Sequence, residues 1–497
     1  MSSTALPESI PPGAPSLAAA NAADAATSAP ADPAPYKVGT LSYTRSGLIA
    51  MFLWLLWGDF CFTIMETVVP TVLPVKLNGL GASNSIVGLI VTTIPGIMNI
   101  AVNPVVSFRS DRYRSRWGRR IPFLAGATPF LVLFLVLLGY SEPIGDWLHR
   151  LLGTGEGARL TVVLCVLGAF MVCFQFFNMF VASVYYYLFN DVVPREFLAR
   201  FMALFRMVGA AAGALFNMFV FKYATTHAEQ IFLGAALLYF FAFVFMCWKV
   251  KEGEYPPPPA NEDGRPGLFA AVRTYAKECF GHPFYWYFYL ANTCVAITWT
   301  TGAYAFFMGR SFGLDADTYG KFAGVLGVAS TLMLYPAGIL ADRHHPLRVL
   351  IVASVAIVAM QPLWFLTFVV DFTPAGERTL YFTISSVGTV AAALYAAAEL
   401  PMFMRLLPSD RYGQYSSANS IVRSLGVMFS GVACGAFIDF VARRFPETDF
   451  CYRFLPVWIG FFYALSLVFL LLLRRECQRS GWDNRQRVRA PRPASAG

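Results

Sequence analysis

Twelve long apolar runs constrain the fold of this chain more than any other feature of its sequence. A helix needs about 20 apolar residues to cross the ~30 Å hydrocarbon layer of a bilayer. The runs are continuously apolar and do not alternate with polar residues, which argues against a membrane β-barrel. We therefore expect an all-α integral membrane protein with twelve transmembrane helices. The runs lie near residues 47–75, 84–108, 121–140, 160–189, 200–222, 230–249, 284–308, 318–341, 347–370, 379–404, 414–438 and 453–473.

The composition supports a bilayer environment. Of the 497 residues, 57% are hydrophobic and 13% are charged. Soluble domains carry about 25% charged residues, so this chain cannot cover its surface in water, and the lipid bilayer is its expected partner. The net charge of +9 is concentrated in loops between the runs, so it indicates membrane topology and not nucleic-acid binding.

Polar segments divide the chain into two sets of six helices. The first segment is rich in Ala, Pro and Ser, which is typical of disorder, and a proline-rich stretch, EGEYPPPPANEDGRPG, lies at mid-chain. We expect a disordered cytoplasmic tail, an N-terminal six-helix bundle, a cytoplasmic linker, a C-terminal six-helix bundle and a second cytoplasmic tail. Their expected bounds are 1–45, 46–250, 251–283, 284–475 and 476–497, in that order.

The most basic loop lies between predicted helices 2 and 3. Its twelve positions from Arg109 to Arg120 contain six arginines and one aspartate. Short basic loops stay in the cytoplasm, and the loops after predicted helices 4, 8 and 10 also carry arginines. The exception is the pair Arg443 and Arg444, between predicted helices 11 and 12. We expect a multi-pass protein of the plasma or inner membrane with both termini in the cytoplasm.

Two patterns repeat at corresponding places in the two halves. Predicted helix 2 ends NPVVSFRSDR and predicted helix 8 ends YPAGILADR, each with a proline six or seven residues before Asp-Arg. Predicted helices 5 and 11 each carry an arginine three residues before a glycine, as Arg206 and Gly209 and as Arg423 and Gly426. These patterns predict two pseudo-symmetric six-helix bundles that rock around a central site.

Together these features resemble the major facilitator superfamily over about residues 46–475. The loop SDRYRSRWGRR places Asp111 seven residues before Gly118. It more specifically resembles the loop of sucrose–proton symporters and of the related glycoside–pentoside–hexuronide cation symporters. The resemblance implies secondary active transport of a sugar or glycoside by alternating access. Predicted helix 2 contains no acid, so the helix-2 aspartates of sodium–melibiose-type relatives are not carried over.

The resemblance also implies a cytoplasmic gate. In such transporters the loop aspartate pairs with arginines and caps helix ends, and bonds between carboxylates and guanidinium groups are strong and often bidentate. We expect these bonds to hold the two halves together at the cytoplasmic face and to break when the carrier opens inward. For any single arginine, a topology signal alone is the alternative. The gate candidates are Asp111, Arg112, Arg116, Gly118, Arg119, Arg120, Asp342 and Arg343.

Carboxylates inside the predicted helices are candidates for coupling transport to an ion, because charge is costly in a bilayer. The five histidines fall in loops or at helix ends, so a coupled proton would have to bind a carboxylate. Asp59 lies near the middle of predicted helix 1, and Glu66 follows seven residues later on the same face. Glu399 lies in predicted helix 10. A static ion pair between Glu399 and Arg423, or uncoupled facilitation, remains the alternative.

Polar and aromatic side chains inside the helices are candidates for binding the solute. Amides and hydroxyls suit a polyhydroxylated ligand, and aromatic rings suit the C–H face of a sugar. Packing between helices and interhelical hydrogen bonds are the alternative role of each residue. The candidates are Trp57, Gln175, Asn178, Arg206, Asn292, Trp299, Tyr304 and Arg423.

Motifs of other function classes do not occur in the sequence. It contains no Walker loop, HExxH, GxSxG or CxxC, so we expect neither ATP-driven transport nor an enzyme nor a metal site. A membrane-embedded sensor or enzyme is the least favoured class. The main alternative is facilitated uptake or efflux of another small organic solute. We expect no cofactor, a coupled H⁺ and a functional monomer.

Overall fold

A computed structural model describes most of the chain. The described residues are 36–38, 40–153, 155–253, 268–408, 411–446 and 449–480.

Twelve spanning elements, α1 to α12, follow the twelve predicted runs within this described part and confirm the predicted fold class. Several are longer than the ~20 residues a bilayer requires; α1, for example, has 35 residues. Eleven of the twelve contain a continuous helix long and apolar enough to cross a membrane. The elements are α1 (Arg45–Gly79), α2 (84–112), α3 (Ile121–Gly139), α4 (Arg159–Val192), α5 (Arg195–Tyr223), α6 (Ala228–Lys249), α7 (283–311), α8 (Ala316–Arg343), α9 (Pro346–Phe368), α10 (Pro374–Leu406), α11 (Tyr412–Arg444) and α12 (450–480).

The remaining element, α7, is interrupted at its centre. It consists of an α-helix at Pro283–Thr298, a tighter 3-10 segment at Trp299–Tyr304 and a second α-helix at Ala305–Ser311. The hydroxyls of Thr298, Thr300 and Thr301 each donate to the carbonyl three residues earlier, at 2.7–2.8 Å. Local side-chain bonds of this kind compete with regular helix geometry. The interruption places Trp299 at the junction of two helix types.

The polar segments contain structure that the sequence did not predict. Within the tail predicted as disordered, strands β1 (Tyr36–Val38) and β2 (Leu41–Tyr43) form an antiparallel hairpin. Its Tyr36 ring packs edge-on against Phe197 of α5 at 5.1 Å, which ties the hairpin to the bundle. A helix, Leu268–Phe280, lies within the predicted linker. In addition, α12 continues to Ser480, beyond the expected bound at 475.

The packing inside the first six helices repeats inside the second six. In the first set α1 packs against α5 and α6, α3 against α4 and α6, and α2 against α4. In the second set α7 packs against α11 and α12, α9 against α10 and α12, and α8 against α10. Each contact therefore has its counterpart six elements later, which is the pseudo-symmetry expected from the repeated sequence patterns.

The two halves meet through α2 with α11 and through α5 with α8. At the first crossing, Gly88 of α2 faces Gly431 of α11 so closely that a Cβ on Gly431 would lie 2.5 Å from the Gly88 carbonyl oxygen. Only residues without a side chain permit this approach. The contacts involve the start of α2, the end of α5, the start of α8 and the second half of α11. We call this end of the molecule, which includes the loops at 80–83 and 312–315, the closed end.

Candidate functional site

A first polar cluster lies on α1, α4 and α5. Asp59 of α1 is 2% exposed and accepts a hydrogen bond from the Thr63 side chain one turn further on. Its Oδ2 atom has no hydrogen-bond partner among the residues that the structure describes. Gly209 of α5 faces this carboxylate, so that an added Cβ would lie 3.6 Å from Oδ2. Asp59 is thus a buried carboxylate at the contact of α1 and α5, with one oxygen lacking a donor.

Glu66 lies on the same side of α1 as Asp59 and contacts α4. Asn178 of α4 donates from Nδ2 to the Glu66 Oε1 atom at 2.8 Å. Asn178 is 4% exposed, whereas the Glu66 side chain is exposed. Tyr186 of α4 lies within electrostatic range of Asp59, Glu66 and Arg206. The structure therefore brings both coupling candidates of α1 together with two substrate candidates, Asn178 and Arg206.

A second polar cluster lies on α7, α10 and α11. The Arg423 guanidinium lies 4.3 Å from the centre of the Trp299 ring, and Trp299 is 59% exposed. Glu399 of α10 lies within electrostatic range of Arg423. The two do not form an ion pair among the contacts described for these residues, so the static pair considered from the sequence is not observed. The cluster offers an accessible aromatic face with a cation behind it and a carboxylate nearby.

Arg206 and Arg423 occupy equivalent positions in the two halves. Each lies eleven residues after the first residue of its helix, which is about 16 Å along the axis. Three residues later, Gly209 packs against α1 and Gly426 packs against Thr293 of α7. Within the described part of the chain, neither guanidinium forms a hydrogen bond or an ion pair. The repeated sequence pattern therefore places one unpaired cation at the same depth in each half.

The other four substrate candidates lie apart from these groups or are already engaged. Trp57 is 45% exposed and stacks on Phe60 at 5.8 Å. Gln175 is buried on α4. Asn292 is buried, and its Nδ2 donates to a carbonyl of its own helix at 3.0 Å. Tyr304 is fully buried, and its hydroxyl donates to a backbone carbonyl of α2 at 2.8 Å, so it joins the halves in this conformation.

The basic loop is tied to α4 and to the segment after α6. Arg119 donates from Nε to Oδ2 of Asp191 at 2.9 Å and from its terminal nitrogen to Oδ1 at 2.5 Å. Arg120 donates to the same Oδ2 at 3.1 Å and to the Ser110 hydroxyl at 2.6 Å. The Glu252 carboxylate accepts from the backbone N–H groups of Arg119, Arg120 and the next residue at 2.5–2.9 Å. These bonds hold the loop within its own half in this conformation.

Glycine is required at one position of this loop. Gly118 has φ +100°, a conformation that L side chains rarely adopt, and an added Cβ would lie 2.5 Å from the Glu252 side chain. The gate candidates Arg116, Asp342 and Arg343 are exposed. The side chains of Asp111 and Arg112 lie outside the described part of the structure. Sequence reasoning therefore located the basic partners of this site and missed the acids Asp191 and Glu252.

At the closed end, Asp439 of α11 joins the two halves. Its Oδ1 atom accepts from the backbone N–H and the side-chain amide of Asn84, both at 2.9 Å. Its Oδ2 atom accepts from the backbone N–H and the hydroxyl of Ser85, at 2.9 and 2.6 Å. Both residues begin α2, where backbone N–H groups lack helical partners and the helix dipole favours a negative charge. A carboxylate of the second half thus caps a helix of the first half.

Further polar contacts surround this cap. The Tyr452 hydroxyl donates to Oδ1 of Asn84 at 2.8 Å, beside the Tyr304 bond already described. Arg310 of α7 pairs with Asp449 and donates to Oδ1 of Asn78 at 3.3 Å. Sequence reasoning named none of these residues as gate residues. The signal available was Ser83 and Asn84 before a helical run, which indicates a helix start but does not reveal its partner.

Comparison with known proteins identifies the fold independently. A family model described as Major Facilitator Superfamily matches residues 55–431, and a second match covers residues 288–496. A D-xylose–proton symporter structure is similar with a TM-score of 0.61 at 12% identity, over 85% of this chain and 97% of that one. A mutant of the nucleoside transporter NupG gives a TM-score of 0.65 at 10% identity, over 85% and 99%.

A bacterial homologue of the human lysosomal transporter Spinster, in an inward-facing and unoccupied conformation, gives a TM-score of 0.62 at 14% identity, over 88% and 98% of the two chains. At these identities the structures show a shared fold and nothing finer. The family match covers more than half of the chain, and the packing of six helices repeats in the next six. The chain therefore belongs to the Major Facilitator Superfamily and is an integral membrane transporter of a small solute, not an enzyme.

Proposed function

We propose that this transporter carries a sugar or glycoside across the cell membrane together with a proton, by alternating access. The observation that supports this proposal most directly is the pair of polar clusters, one in each half. The first contains a buried carboxylate with an oxygen that lacks a donor, at Asp59. The second contains an accessible aromatic ring backed by a cation, at Trp299. Because one chain supplies both clusters, the proposed transport needs only a monomer.

The second cluster suits the apolar face of a sugar ring. Trp299 is 59% exposed, so one face of its indole is available while Arg423 lies near the other at 4.3 Å. Stacking would leave the sugar hydroxyls to hydrogen-bond polar groups around the ring. Within this cluster Glu399 is the candidate for those bonds; the proposal adds Tyr186 and Glu66 of the first cluster, where Glu66 already accepts a hydrogen bond from Asn178. The arrangement supports a polyhydroxylated solute held between the halves.

The first cluster suits reversible binding of a proton, and no other cofactor is needed. A charged aspartate inside a membrane is unfavourable by at least ~2.5 kcal/mol unless it is paired or faces water. Protonation of Asp59 removes this charge and lets Oδ2 share a proton. A neutral site favours reorientation of the halves, so proton binding and solute movement become coupled. Glu66 is the second candidate, and Glu399 is the third.

We infer a direction for this conformation from the predicted topology. Because the basic loop is predicted to face the cytoplasm, we propose that both termini lie there and that the closed end lies outside. In this conformation the Asp439 cap and the Tyr304 bond hold the outer side together. Outward opening then requires that these bonds break. We infer that the basic loop, Asp191 and Glu252 act at the opposite, cytoplasmic gate.

A facilitator of another small organic solute is the second candidate function. The observation that favours it is the unpaired state of Arg206 and Arg423 at equal depth in the two halves. Two guanidinium groups without carboxylate partners suit an anionic group, since guanidinium binds carboxylate and phosphate with charge-assisted hydrogen bonds. Such a solute needs no coupled proton to be held.

The test is uptake by the purified protein in proteoliposomes under an imposed pH gradient. Labelled mono- and disaccharides are compared with labelled organic acids. The proposal expects one sugar to accumulate and the accumulation to collapse when a protonophore is added. Accumulation that survives the protonophore would exclude proton coupling. No movement of any sugar, together with movement of an acid, would transfer the assignment to the second candidate.

A further inference from the structure

A groove on the first six helices lies apart from both polar clusters. It is bounded by α3, α6 and the basic loop, and neither helix contributes a residue to the clusters. Its volume is about 630 Å³. Its floor is apolar, formed by Ile121, Ala125, Phe243 and Val244, and its rim carries charged and aromatic side chains, Arg116, Trp117, Trp248 and Lys251.

The groove lies where helices leave the membrane. Ile121 is the first residue of α3, and the groove ends just beyond Lys249, the last residue of α6. Its lining follows α3 as far as Thr128, which is about 10 Å along the axis. Trp117 and Trp248 are 57% and 69% exposed, and tryptophan is enriched at the level of lipid headgroups. One end of the groove is therefore at headgroup level, and the other is among acyl chains.

The cations on its rim have no acidic partners. Among the residues that the structure describes, the rim cations Arg116 and Lys251 form no hydrogen bond or ion pair, and neither does Lys249, which lies between Trp248 and Lys251 in the chain. Two of them lie over tryptophan rings: Arg116 over Trp117 at 5.6 Å and Lys249 over Trp248 at 4.3 Å. The nearby Arg119 and Arg120, by contrast, are both bonded to Asp191. The rim cations thus retain capacity for an anion that the adjacent arginines lack.

One acid, Glu252, also contributes to the lining of this groove. Its Oε1 atom accepts from two backbone N–H groups of the basic loop and its Oε2 atom accepts from a third. Both oxygens are therefore occupied on the loop side. This reduces the repulsion that Glu252 exerts on a second anion, while the two cations Arg116 and Lys251 line the groove.

We propose that this groove binds one anionic glycerophospholipid of the surrounding bilayer. The phosphate lies between Arg116 and Lys251, next to the two tryptophans, and an acyl chain lies on the apolar floor beside Ala125 and Val244. Free phosphate does not use this floor, so the site takes a membrane lipid. A cation near a membrane surface contributes about fivefold to binding of anionic lipid, and two contribute about 30-fold. The bound lipid contacts the same loop that Glu252 fixes.

The experiment measures lipid binding to the full-length protein in detergent by native mass spectrometry. Phosphatidylglycerol and phosphatidylcholine with identical acyl chains are titrated in parallel. We expect one phosphatidylglycerol to bind at least tenfold more tightly than phosphatidylcholine. Arg116→Gln combined with Lys251→Gln should remove this preference, and Arg116→Lys should retain it. Glycerol phosphate, which carries the charge without acyl chains, should not compete.

Lys222→Gln is the matched control. Lys222 is an exposed cation that lies over an aromatic ring, Tyr223, at 4.9 Å, but it lies near the end of α5, at the closed end of the molecule and away from the groove. It should leave the preference unchanged. Equal binding of the two lipids, an unchanged preference in the double variant, or equal competition by glycerol phosphate would each overturn the proposal. Each readout is obtained without solute, so the result is independent of the sugar assignment.

Discussion

At the scale of single residues, the proposed proton coupling depends most on Asp59. The residue is 2% exposed and its Oδ2 has no partner among the described residues. We predict that Asp59→Asn abolishes accumulation of solute driven by a pH gradient, because the amide cannot bind and release the proton. Exchange between compartments of equal pH should continue at a reduced rate. Glu66→Gln should show a milder form of the same defect, measured in the same proteoliposomes.

Asp317→Asn is the control for this substitution. Asp317 forms an exposed pair with Lys321 at 2.5 Å, and such pairs contribute little to stability. If the Asp59→Asn protein concentrates solute as the parent does, Asp59 is not the coupling site, and Glu399 becomes the next residue to test.

Trp299 is the residue whose loss should affect binding and not coupling. Trp299→Ala removes the accessible ring that lies against the Arg423 guanidinium. Aromatic contacts contribute roughly 0.5–1.5 kcal/mol beyond the free energy of burying their area. We predict about tenfold weaker solute binding, with the ratio of protons to solute unchanged. Trp57→Ala is the matched control, since Trp57 is 45% exposed and stacks only on Phe60 among the ring contacts described. Equal losses of affinity in both variants would remove Trp299 from the binding site.

At the scale of elements, the tie between the basic loop and α4 should control turnover. Arg119 and Asp191 form two hydrogen bonds, and their side chains are 21% and 8% exposed. Loss of Arg119 removes two of the hydrogen bonds to Asp191 and leaves this poorly solvated carboxylate with the single bond from Arg120. We predict that Arg119→Ala slows solute exchange at least about tenfold while equilibrium binding changes less than about twofold.

The double variant tests whether the pair acts as a unit. Asp191→Asn should reproduce the slow exchange, and combining it with Arg119→Ala should add little, because interacting residues are not additive. Arg159→Ala is the control, since Arg159 pairs with Glu142 and Asp146 at an exposed site. Weaker solute binding with normal exchange in Arg119→Ala would exclude a role in the gate.

Elements were more predictable from the sequence than their contacts. All twelve spanning elements follow from long apolar runs, because the bilayer imposes both a length and a composition on each. The interruption of α7 at Trp299 was not predicted, since it depends on threonine hydroxyls bonding to their own backbone. Arg206 and Arg423 were found because the repeat placed them at equal positions. Asp191 and Asp439 were missed because their partners lie 72 and 355 residues away along the chain.

At the scale of the whole molecule, two separate sets of bonds belong to the two ends. The basic loop, Asp191 and Glu252 are joined within one half, whereas the Asp439 cap and Tyr304 join the halves at the closed end. Alternating access requires that contacts between the halves break at one end of the molecule and form at the other. Gly88 and Gly431 bring the backbones of α2 and α11 into direct contact at the closed end, so opening of this end must separate them.

The closed end should therefore open when Asp439 loses its charge. Asp439→Asn replaces one carboxylate oxygen by a donor that faces the N–H groups at the start of α2. Hydrogen bonds to charged groups contribute about 1.5–3 kcal/mol, so the loss should raise the open fraction of this end about tenfold or more. Cys451, which is 6% exposed and precedes Tyr452, reports the change. Its labelling rate by a membrane-impermeant maleimide, measured by peptide mass spectrometry, should rise by the same factor. Asp317→Asn, at the same end but with its side chain paired to Lys321 of its own helix, should label as the parent does. An unchanged Cys451 rate in Asp439→Asn would show that the glycine contact and the tyrosines close this end without the carboxylate.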